Sequence, residues 1–420
     1  MRHETTDARK HDARRETIDG SQVSRLTPPR VSGLTSRAQW PKVAASASHP
    51  QKLDEFCLLI ADCPHSTAQD EGQGFPLVRT PNIGNGRLIF EKMHRVSRAV
   101  YEARNKRAKP QAGDLIYARE APAGNVALIT KGQEVCLGQR TVLLRPNPTM
   151  ADSAFLTYYL LAPEQRHRLL GTATGATVTH VNLPAIRNLE VALPPLTIQR
   201  RIADILSAYD DLIENNRRRI AILEETARLT YRKWFGGAEQ GGTATLGEIA
   251  DVVMGQSPES KTYNDNGEGL PFHQGVTGFG FRYPRNEMWC TAGTRFAEEG
   301  DILFSVRAPV GRINVAGERI VIGRGLSAMR AKNGFQSWLL YALKHHFSKE
   351  DMIGVGCIFA STTKKELLSV ALPFPPDEEI AVFEQIAGPI DAQIKALSMQ
   401  NASLAAARDM LLPRLMKNCL

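Results

Sequence analysis

The sequence predicts an α+β protein made of two copies of one mixed α/β unit, each followed by a long helix, with the two helices forming a coiled coil. Three observations lead to this prediction: an internal repeat, two heptad seams at matched positions, and a glycine-rich stretch between the copies. The chain has 420 residues, enough for two or three domains of about 100–200 residues each.

The internal repeat is clearest in two stretches that begin 187 residues apart. They read GDLIYAREAPAG at residues 113–124 and GDILFSVRAPVG at residues 300–311. Each combines a glycine turn, a short apolar run and a Pro/Gly turn, which is typical of a strand that enters a tight loop. Further matched segments follow each copy. They are LGQR (137–140) with IGRG (322–325), and LEVALPP (189–195) with LSVALP (368–373). The repeat predicts one domain over residues 51–195 and a second over 246–374.

A heptad seam follows each copy, within helices predicted over residues 196–236 and 375–420. Apolar or small residues recur there in alternating steps of three and four, and each seam carries one Asn, which can fix register. The seam residues include Ile213, Asn216, Ile220 and Leu223 in the first helix and Ile394, Leu397, Asn401 and Leu404 in the second. Two unrelated amphipathic helices are the alternative. The matched position after a repeated unit favours a coiled-coil pair.

Two segments lie outside the repeated units. Residues 1–50 are basic, poor in large apolar residues and without helical or strand periodicity, so they are predicted to be disordered. This N-terminal extension is either a functional basic arm or upstream sequence read from an early start codon. Residues 237–245 contain closely spaced glycines and are predicted to be a flexible linker.

Composition narrows the possible functions. The net charge is +8, which is compatible with a nucleic-acid partner and equally with an ordinary basic surface. No apolar run approaches the ~18 residues of a membrane helix, so a membrane-spanning protein is excluded. The cysteines stand far apart, without CxxC or Cys/His ligand spacing. No metal site is therefore expected, and the thiols are predicted to be reduced, as in the cytoplasm.

Enzyme signatures are missing from the sequence. It contains no GxxxxGK[ST] phosphate loop, no GxSxG nucleophile turn, no HExxH metal motif and no glycine-rich dinucleotide fingerprint. We therefore expect no catalytic residue and no cofactor in this chain.

The loops around the repeated strands carry side chains suited to reading a DNA duplex. Arg pairs well with guanine, and Asn or Gln with adenine, while other Arg residues can neutralise phosphates. The candidates in the first copy are Arg79, Thr80, Asn82, Asn85, Arg87, Arg119 and Arg140. Those in the second are His273, Gln274, Thr277, Arg282, Arg307, Arg312 and Arg324. For any one of them, a solvated surface position is the alternative.

Residues 50–420 resemble the specificity subunit of a type I restriction–modification system. The resemblance rests on these segments together with the repeated strand: ADCPHST (61–67), VRTPNIGNG (78–86), LPPLTIQ (193–199), IADIL (202–206) and RDMLLPRL (408–415). The combination of two target-recognition units and two long helices is specific, whereas each motif alone is weak. One departure is Ile198 before Gln199, where the family usually has Glu, so the helix surface that binds partners is expected to be asymmetric.

The resemblance implies a function and partners. Each unit would be a target-recognition domain that binds half of a split sequence in double-stranded DNA, and the helices would pack antiparallel as a spacer. Two methyltransferase subunits would dock on the helices and methylate adenines, and restriction subunits would cleave. S-adenosylmethionine, ATP and Mg²⁺ would belong to these partners. The rival hypotheses are a repeat scaffold that no longer reads DNA and a nuclease with an unrecognised active site.

Overall fold

The computed structural model describes residues 50–172, 180–237, 242–349 and 361–417. The predicted N-terminal extension lies outside these residues, apart from Pro50. The described chain contains the two predicted mixed α/β domains and two helices of about 40 residues each.

The first domain is built on a five-stranded sheet with the order β2-β9-β6-β7-β4, in which only β4 and β7 run parallel. A three-stranded sheet, β5-β3-β8, and a short pair, β1-β10, complete it. The strands are β1 (Gln51–Lys52), β2 (Cys57–Asp62), β3 (Phe75–Val78), β4 (Asn85–Arg87), β5 (His94–Val96), β6 (Leu115–Ala118), β7 (Val126–Leu128), β8 (Cys136–Leu137), β9 (Thr141–Pro146) and β10 (Glu190–Val191). The helices are α1 (Arg98–Arg104), α2 (Ser153–Leu161), α3 (Pro163–Gly171) and α4 (Leu183–Arg187), and the long helix α5 (Leu196–Phe235) follows.

The second domain repeats this plan with a four-stranded sheet, β12-β20-β17-β18, a five-stranded sheet, β13-β15-β14-β19-β16, and a short pair, β11-β21. Its strands are β11 (Gly242–Thr245), β12 (Ala250–Met254), β13 (Tyr263–Asn264), β14 (Leu270–His273), β15 (Trp289–Cys290), β16 (Phe296–Ala297), β17 (Ile302–Ser305), β18 (Ile313–Val315), β19 (Ile320–Ile322), β20 (Leu326–Ala331) and β21 (Ala371–Phe374). Its helices are α6 (Leu246–Ile249), α7 (Gln336–Lys349) and α8 (Lys364–Leu368), and the long helix α9 (Asp377–Lys417) follows.

The repeated GD motif has the same structural role in both domains. Its aspartate is buried and pairs with an arginine on the neighbouring strand: Asp114 Oδ1 lies 2.8 Å from Arg145 Nε, and Asp301 Oδ1 lies 2.7 Å from Arg330 Nε. The preceding glycine has a positive φ in each copy, +93° at Gly113 and +87° at Gly300, as a tight turn into the strand requires. The sequence repeat is therefore a repeat of structure.

The linker prediction needs correction at one end. Residues Gly242–Thr245 do not form a free linker, because they pair antiparallel with Ala371–Phe374. This two-stranded pair closes the second domain at the start of α9. The pair formed by Gln51–Lys52 and Glu190–Val191 closes the first domain at the start of α5 in the same way. Pairing with the end of the domain satisfies backbone groups that a free linker leaves to water.

Helices α5 and α9 pack against each other as an antiparallel coiled coil. The predicted seam residues Ile220, Ile394 and Leu397 form one buried cluster, with Leu223 packed against it. The two seam asparagines meet: the Nδ2 of Asn216 donates to Asn401 Oδ1 at 3.0 Å. Asn216 is 5% exposed, so this contact satisfies a polar side chain in the seam and determines register.

Each domain core is completed by both long helices. In the first core, Ile202 and Leu206 of α5 and Leu415 of α9 pack against the sheet and α2. In the second core, Tyr231 of α5 and Phe383 of α9 pack against α7 and its sheet. Because the helices run in opposite directions, each domain contacts the beginning of its own following helix and the end of the other. The helix pair is thus part of both cores.

The asparagine pair generates a stability prediction. Asn216→Leu leaves Asn401 with an apolar neighbour in the seam, so we expect it to lower the free energy of unfolding by about 1–3 kcal/mol. The double variant Asn216→Leu/Asn401→Leu removes both polar groups, and its stability is expected to equal or exceed that of the wild type. Urea unfolding followed by circular dichroism measures both, with the exposed Arg217→Ala as control. A double variant less stable than the single one would contradict this account.

Candidate nucleic-acid interface

A surface cleft at one edge of the first domain brings distant sequence segments together. It has a volume of about 360 Å³ and is lined by the loop after β2, by Arg79 and Thr80 after β3, by Ala121 after β6, and by Arg140 before β9. A backbone hydrogen bond holds two of these segments together, since Gly138 N donates to the Val78 carbonyl at 2.8 Å. Three predicted site residues, Arg79, Thr80 and Arg140, therefore lie around one cleft.

The second domain uses the same backbone arrangement at the equivalent edge. Gly323 N donates to the His273 carbonyl at 2.9 Å, and Gly325 N donates to the Gln274 carbonyl at 3.0 Å. A Cβ on Gly323 would lie 2.7 Å from Gln274 Oε1, so glycine permits this close approach. The side chains of Gln274 and Arg324 are exposed here.

Several predicted contacts are accessible in the two domains. They are Asn85 and Arg140 in the first domain, and Gln274, Thr277, Arg307, Arg312 and Arg324 in the second; Arg79 and Arg87 are half-buried. These residues have side-chain atoms that a DNA duplex can approach.

Arg119 does not have this access, which corrects its assignment as a DNA contact. Its side chain is 9% exposed and donates from Nη1 to Asp62 Oδ1 at 2.8 Å and from Nε to the Val181 carbonyl at 2.9 Å. Its Nη2 lies 2.9 Å from His180 Nε2. Because a guanidinium only donates, that ring nitrogen accepts. Arg119 thus ties strand β2 to the segment before α4.

Thr80, Asn82 and His273 are also buried, and their predicted DNA contacts are corrected for the same reason. Thr80 Oγ1 donates to the Ala121 carbonyl at 3.1 Å, and Asn82 Nδ2 donates to the Ile89 carbonyl at 3.2 Å. Burial lowers the pKa of His273, although its contact with an Asn side chain opposes this. These buried side chains support the loops through hydrogen bonds inside the domain.

Arg282 and Arg87 both form ion pairs with the long helices. The Arg282 side chain is 3% exposed and forms ion pairs with Glu224 of α5 and Asp391 of α9. Arg87, which is more exposed, pairs with Asp211 of α5. A guanidinium held between two carboxylates cannot reach a duplex, so the predicted DNA contact of Arg282 is wrong.

The two edges differ in charge. In the first domain Arg140 Nε lies 2.8 Å from Glu120 Oε2, so the exposed cation there is compensated. In the second, Arg307, Arg312 and Arg324 form no ion pair with a carboxylate of the described chain. The second edge is consequently the more positive of the two.

Comparison with known proteins identifies the family. The family model described as the type I restriction modification DNA specificity domain matches residues 50–225 and 241–401. This chain belongs to the specificity subunits of type I restriction–modification systems. It recognises a DNA target and is not itself catalytic. The alternatives of a nuclease or a scaffold without DNA reading have no support.

Individual relatives agree with this. The putative type I restriction enzyme MjaX specificity subunit of Methanocaldococcus jannaschii is 31% identical over 331 residues, which cover 73% of this chain and 78% of that protein. The HindI specificity subunit of Haemophilus influenzae is 20% identical over 201 residues, 44% of this chain and 43% of its own. The crystal structure of the S subunit from M. genitalium, 19% identical, covers 89% of this chain and 98% of its own with a TM-score of 0.54, and thus shares the fold.

This specificity subunit shows no metal or membrane element in its described residues. No group of three or more His, Cys, Asp or Glu residues is placed there to hold a metal ion. None of the helices in that part of the chain is long and apolar enough to cross a membrane.

Two residues of this surface did not emerge from the sequence. Glu120 positions Arg140, and Ser257 Oγ donates to Gln274 Oε1 at 2.9 Å. Glu120 stands out when the two copies of the repeat are compared, because the second copy, GDILFSVRAPVG, has Arg307 at the same position. Ser257 lies in a loop without such a signal.

The contrast between Arg119 and Arg140 generates a prediction for the specificity subunit. Arg119→Gln breaks a buried ion pair, so we expect the free energy of unfolding to fall by up to about 3 kcal/mol. Arg140→Gln removes an exposed pair and should change stability by less than about 1 kcal/mol, while weakening DNA binding. Urea unfolding and salt-dependent duplex binding separate the two effects. Equal stability losses in both variants would contradict the assignment of Arg119 as structural.

Proposed function

We propose that each mixed domain reads one half of a bipartite target in double-stranded DNA, and that the antiparallel helix pair sets the distance between the halves. The observation that carries this proposal is the pair of equivalent edges. In both, a glycine N–H (Gly138 or Gly323) donates to the carbonyl at the end of the neighbouring strand, yet the edges present different side chains: Arg79 and Arg140 in one, Gln274 and Arg324 in the other. A common backbone with different side chains suits two domains that recognise different DNA sequences.

The exposed residues divide by chemistry into base and phosphate contacts. Arg79, Arg140 and Arg324 are proposed to read guanine, and Asn85 and Gln274 to read adenine, through paired hydrogen bonds in the major groove. Arg307, Arg312 and Thr277 are proposed as phosphate contacts. Under this proposal the more positive second edge contributes more of the salt-dependent affinity.

The helices are proposed to dock two methyltransferase subunits, to which restriction subunits are added, in the cytoplasm where the chromosome lies. The matching strand pairs that close the two domains at the starts of α5 and α9 support a pair of similar docking sites. S-adenosylmethionine, ATP and Mg²⁺ would be bound by the partners. The chain then contributes only recognition and spacing.

A domain exchange tests the two-headed reading, in which each domain recognises its own half of the target. We expect that replacing residues 51–195 with the same region of a relative changes one half of the methylated sequence and leaves the other half unchanged, because each domain has its own edge. Methylome sequencing of a strain with the exchanged chain and its partner subunits gives the result. The reciprocal exchange of residues 246–374 is the control. A change in both halves after either exchange would refute independent reading.

A matched deletion tests the spacer. The structure places residues 217–223 of α5 opposite residues 394–400 of α9, between the polar contacts at Asp210 and Glu224. Removing both heptads keeps the seam in phase and retains the Asn216–Asn401 pair. It shortens the rod by ~10 Å at ~1.5 Å per residue, so we expect the unspecified gap to shrink by up to about three base pairs.

Methylome sequencing of the deletion strain reads the gap directly. The two half-sites should remain the same, because neither recognition edge is altered. Deletion of residues 217–223 alone is the control, and it should abolish methylation since the helices no longer match in length. An unchanged gap with activity retained would show that the helices do not act as a ruler.

A further inference from the structure

A buried cluster of charges joins the second domain to both long helices. The Arg282 Nη1 donates to Glu224 Oε2 of α5 at 2.7 Å, and its Nη2 pairs with Asp391 of α9. Lys344 of α7 also pairs with Glu224. Tyr341 of α7 donates from its hydroxyl to Asp391 Oδ1 at 3.0 Å. One arginine from the domain therefore bridges the two helices on which the domain sits.

The cluster is balanced and largely inaccessible to water. Two cations, Arg282 and Lys344, face two carboxylates, Glu224 and Asp391, and the exposed fractions of the two acidic side chains are 13% and 19%. Burial acts to lower the pKa of Arg282, but the neighbouring negative charges of Asp391 and Glu224 raise it overall, so the guanidinium is charged. Buried pairs of this kind are poor sources of stability and are better attested as determinants of one specific geometry.

The first domain is attached differently. Asp210 of α5 accepts from the Tyr158 hydroxyl at 2.6 Å, but its arginine partner is Arg408, which comes from α9 and not from the domain. Gly86 lies at this junction, and a Cβ there would be 3.6 Å from Asp210 Oδ2. The equivalent turn of the second domain carries Arg282. Arg87 of the first domain pairs with α5 only, so among the described residues it is the second domain that sends a charged side chain between both helices.

We propose that Arg282 is a positioning residue that fixes the orientation of the second domain on the helix pair, and that it thereby determines which gap between half-sites is accepted. This inference rests on the proposed two-headed reading. It goes beyond the role of the helix pair as a spacer, because the length of the helices sets a distance but not the rotation of a domain attached to them.

Rotation matters because DNA is helical. Adding one base pair to the gap moves the far half-site by ~3.4 Å and also turns it by roughly 35° about the duplex axis. A domain held rigidly by Arg282 meets the far half-site at one gap only. A domain released from one helix has more orientations available and should tolerate neighbouring gaps.

The test uses the full chain assembled with its own methyltransferase subunits. Duplexes carry the two half-sites, known from the methylome, with the native gap or with one base pair more or fewer. For the wild type we expect methylation to be slower by about a hundredfold or more at the altered gaps, and for Arg282→Gln we expect this penalty to shrink by about tenfold, in line with the cost of misorienting a bound site. The half-site sequences should not change.

Controls separate positioning from stability. Arg330→Gln breaks an ion pair with Asp301 in which both partners belong to the same domain and neither to a long helix, so it should lower stability but keep the gap penalty. Tyr341→Phe removes the hydroxyl that donates to Asp391 and accepts from Arg282 Nη1, with little change in packing, and provides a second, milder release if Arg282→Gln folds poorly. Arg282→Lys keeps the charge but cannot bridge both carboxylates, so it should behave like Arg282→Gln.

Each outcome decides the proposal. A full gap penalty in folded Arg282→Gln and Tyr341→Phe overturns it, as does an equal relaxation in Arg330→Gln. Loss of methylation at all gaps, in a folded complex, contradicts it by indicating a role in reading or docking. A wild-type complex indifferent to the gap would refute the two-headed reading as well, whereas a sharp wild-type preference kept by the variants refutes only the positioning role of Arg282.

Discussion

The structure depends on the antiparallel packing of α5 against α9. The two helices do not merely connect the domains, because each one supplies apolar side chains to both domain cores. Without the pair, the sheet and α2 of the first domain lose Leu206 and Leu415, and the second domain loses Tyr231 and Phe383. Burial of large apolar side chains is the dominant favourable contribution to folding, so the domains and the spacer form one cooperative structure.

This arrangement places polar side chains at three levels along the helix pair. Asp210 with Arg408 lies near the first domain, Asn216 with Asn401 lies between the domains, and Glu224 with Asp391 lies near the second, joined by Arg282. Apolar seam residues alone permit one helix to shift along the other by one heptad. Each polar pair penalises such a shift, because a buried donor or acceptor would lose its partner. The register of the helix pair and the position of the domains on it are therefore specified together.

The recognition edges follow from a different constraint. Glycines allow neighbouring loops to touch through their backbones, as Gly138 does beside β3 and Gly323 beside β14. Since these hydrogen bonds involve only main-chain atoms, the exposed side chains beside them can vary without loss of the fold. A specificity subunit with two such edges can present two different chemical surfaces on one scaffold, here a charge-compensated one at Arg140 and a more positive one at Arg324.

The duplication, the two long helices and the seam can be predicted from the sequence, because repeats and heptad periodicity are local patterns that burial imposes directly. The sequence also pointed to the residues that converge at the first edge, Arg79 and Arg140. Which arginines are accessible at the surface depends on tertiary packing. Arg119 and Arg282 look like any other loop arginine in the sequence, but each is buried against partners from distant segments: Asp62, Val181 and His180 for Arg119, and Glu224 and Asp391 for Arg282. The partner of a charged side chain is set by the packing of segments far apart in the chain, and no local pattern records it.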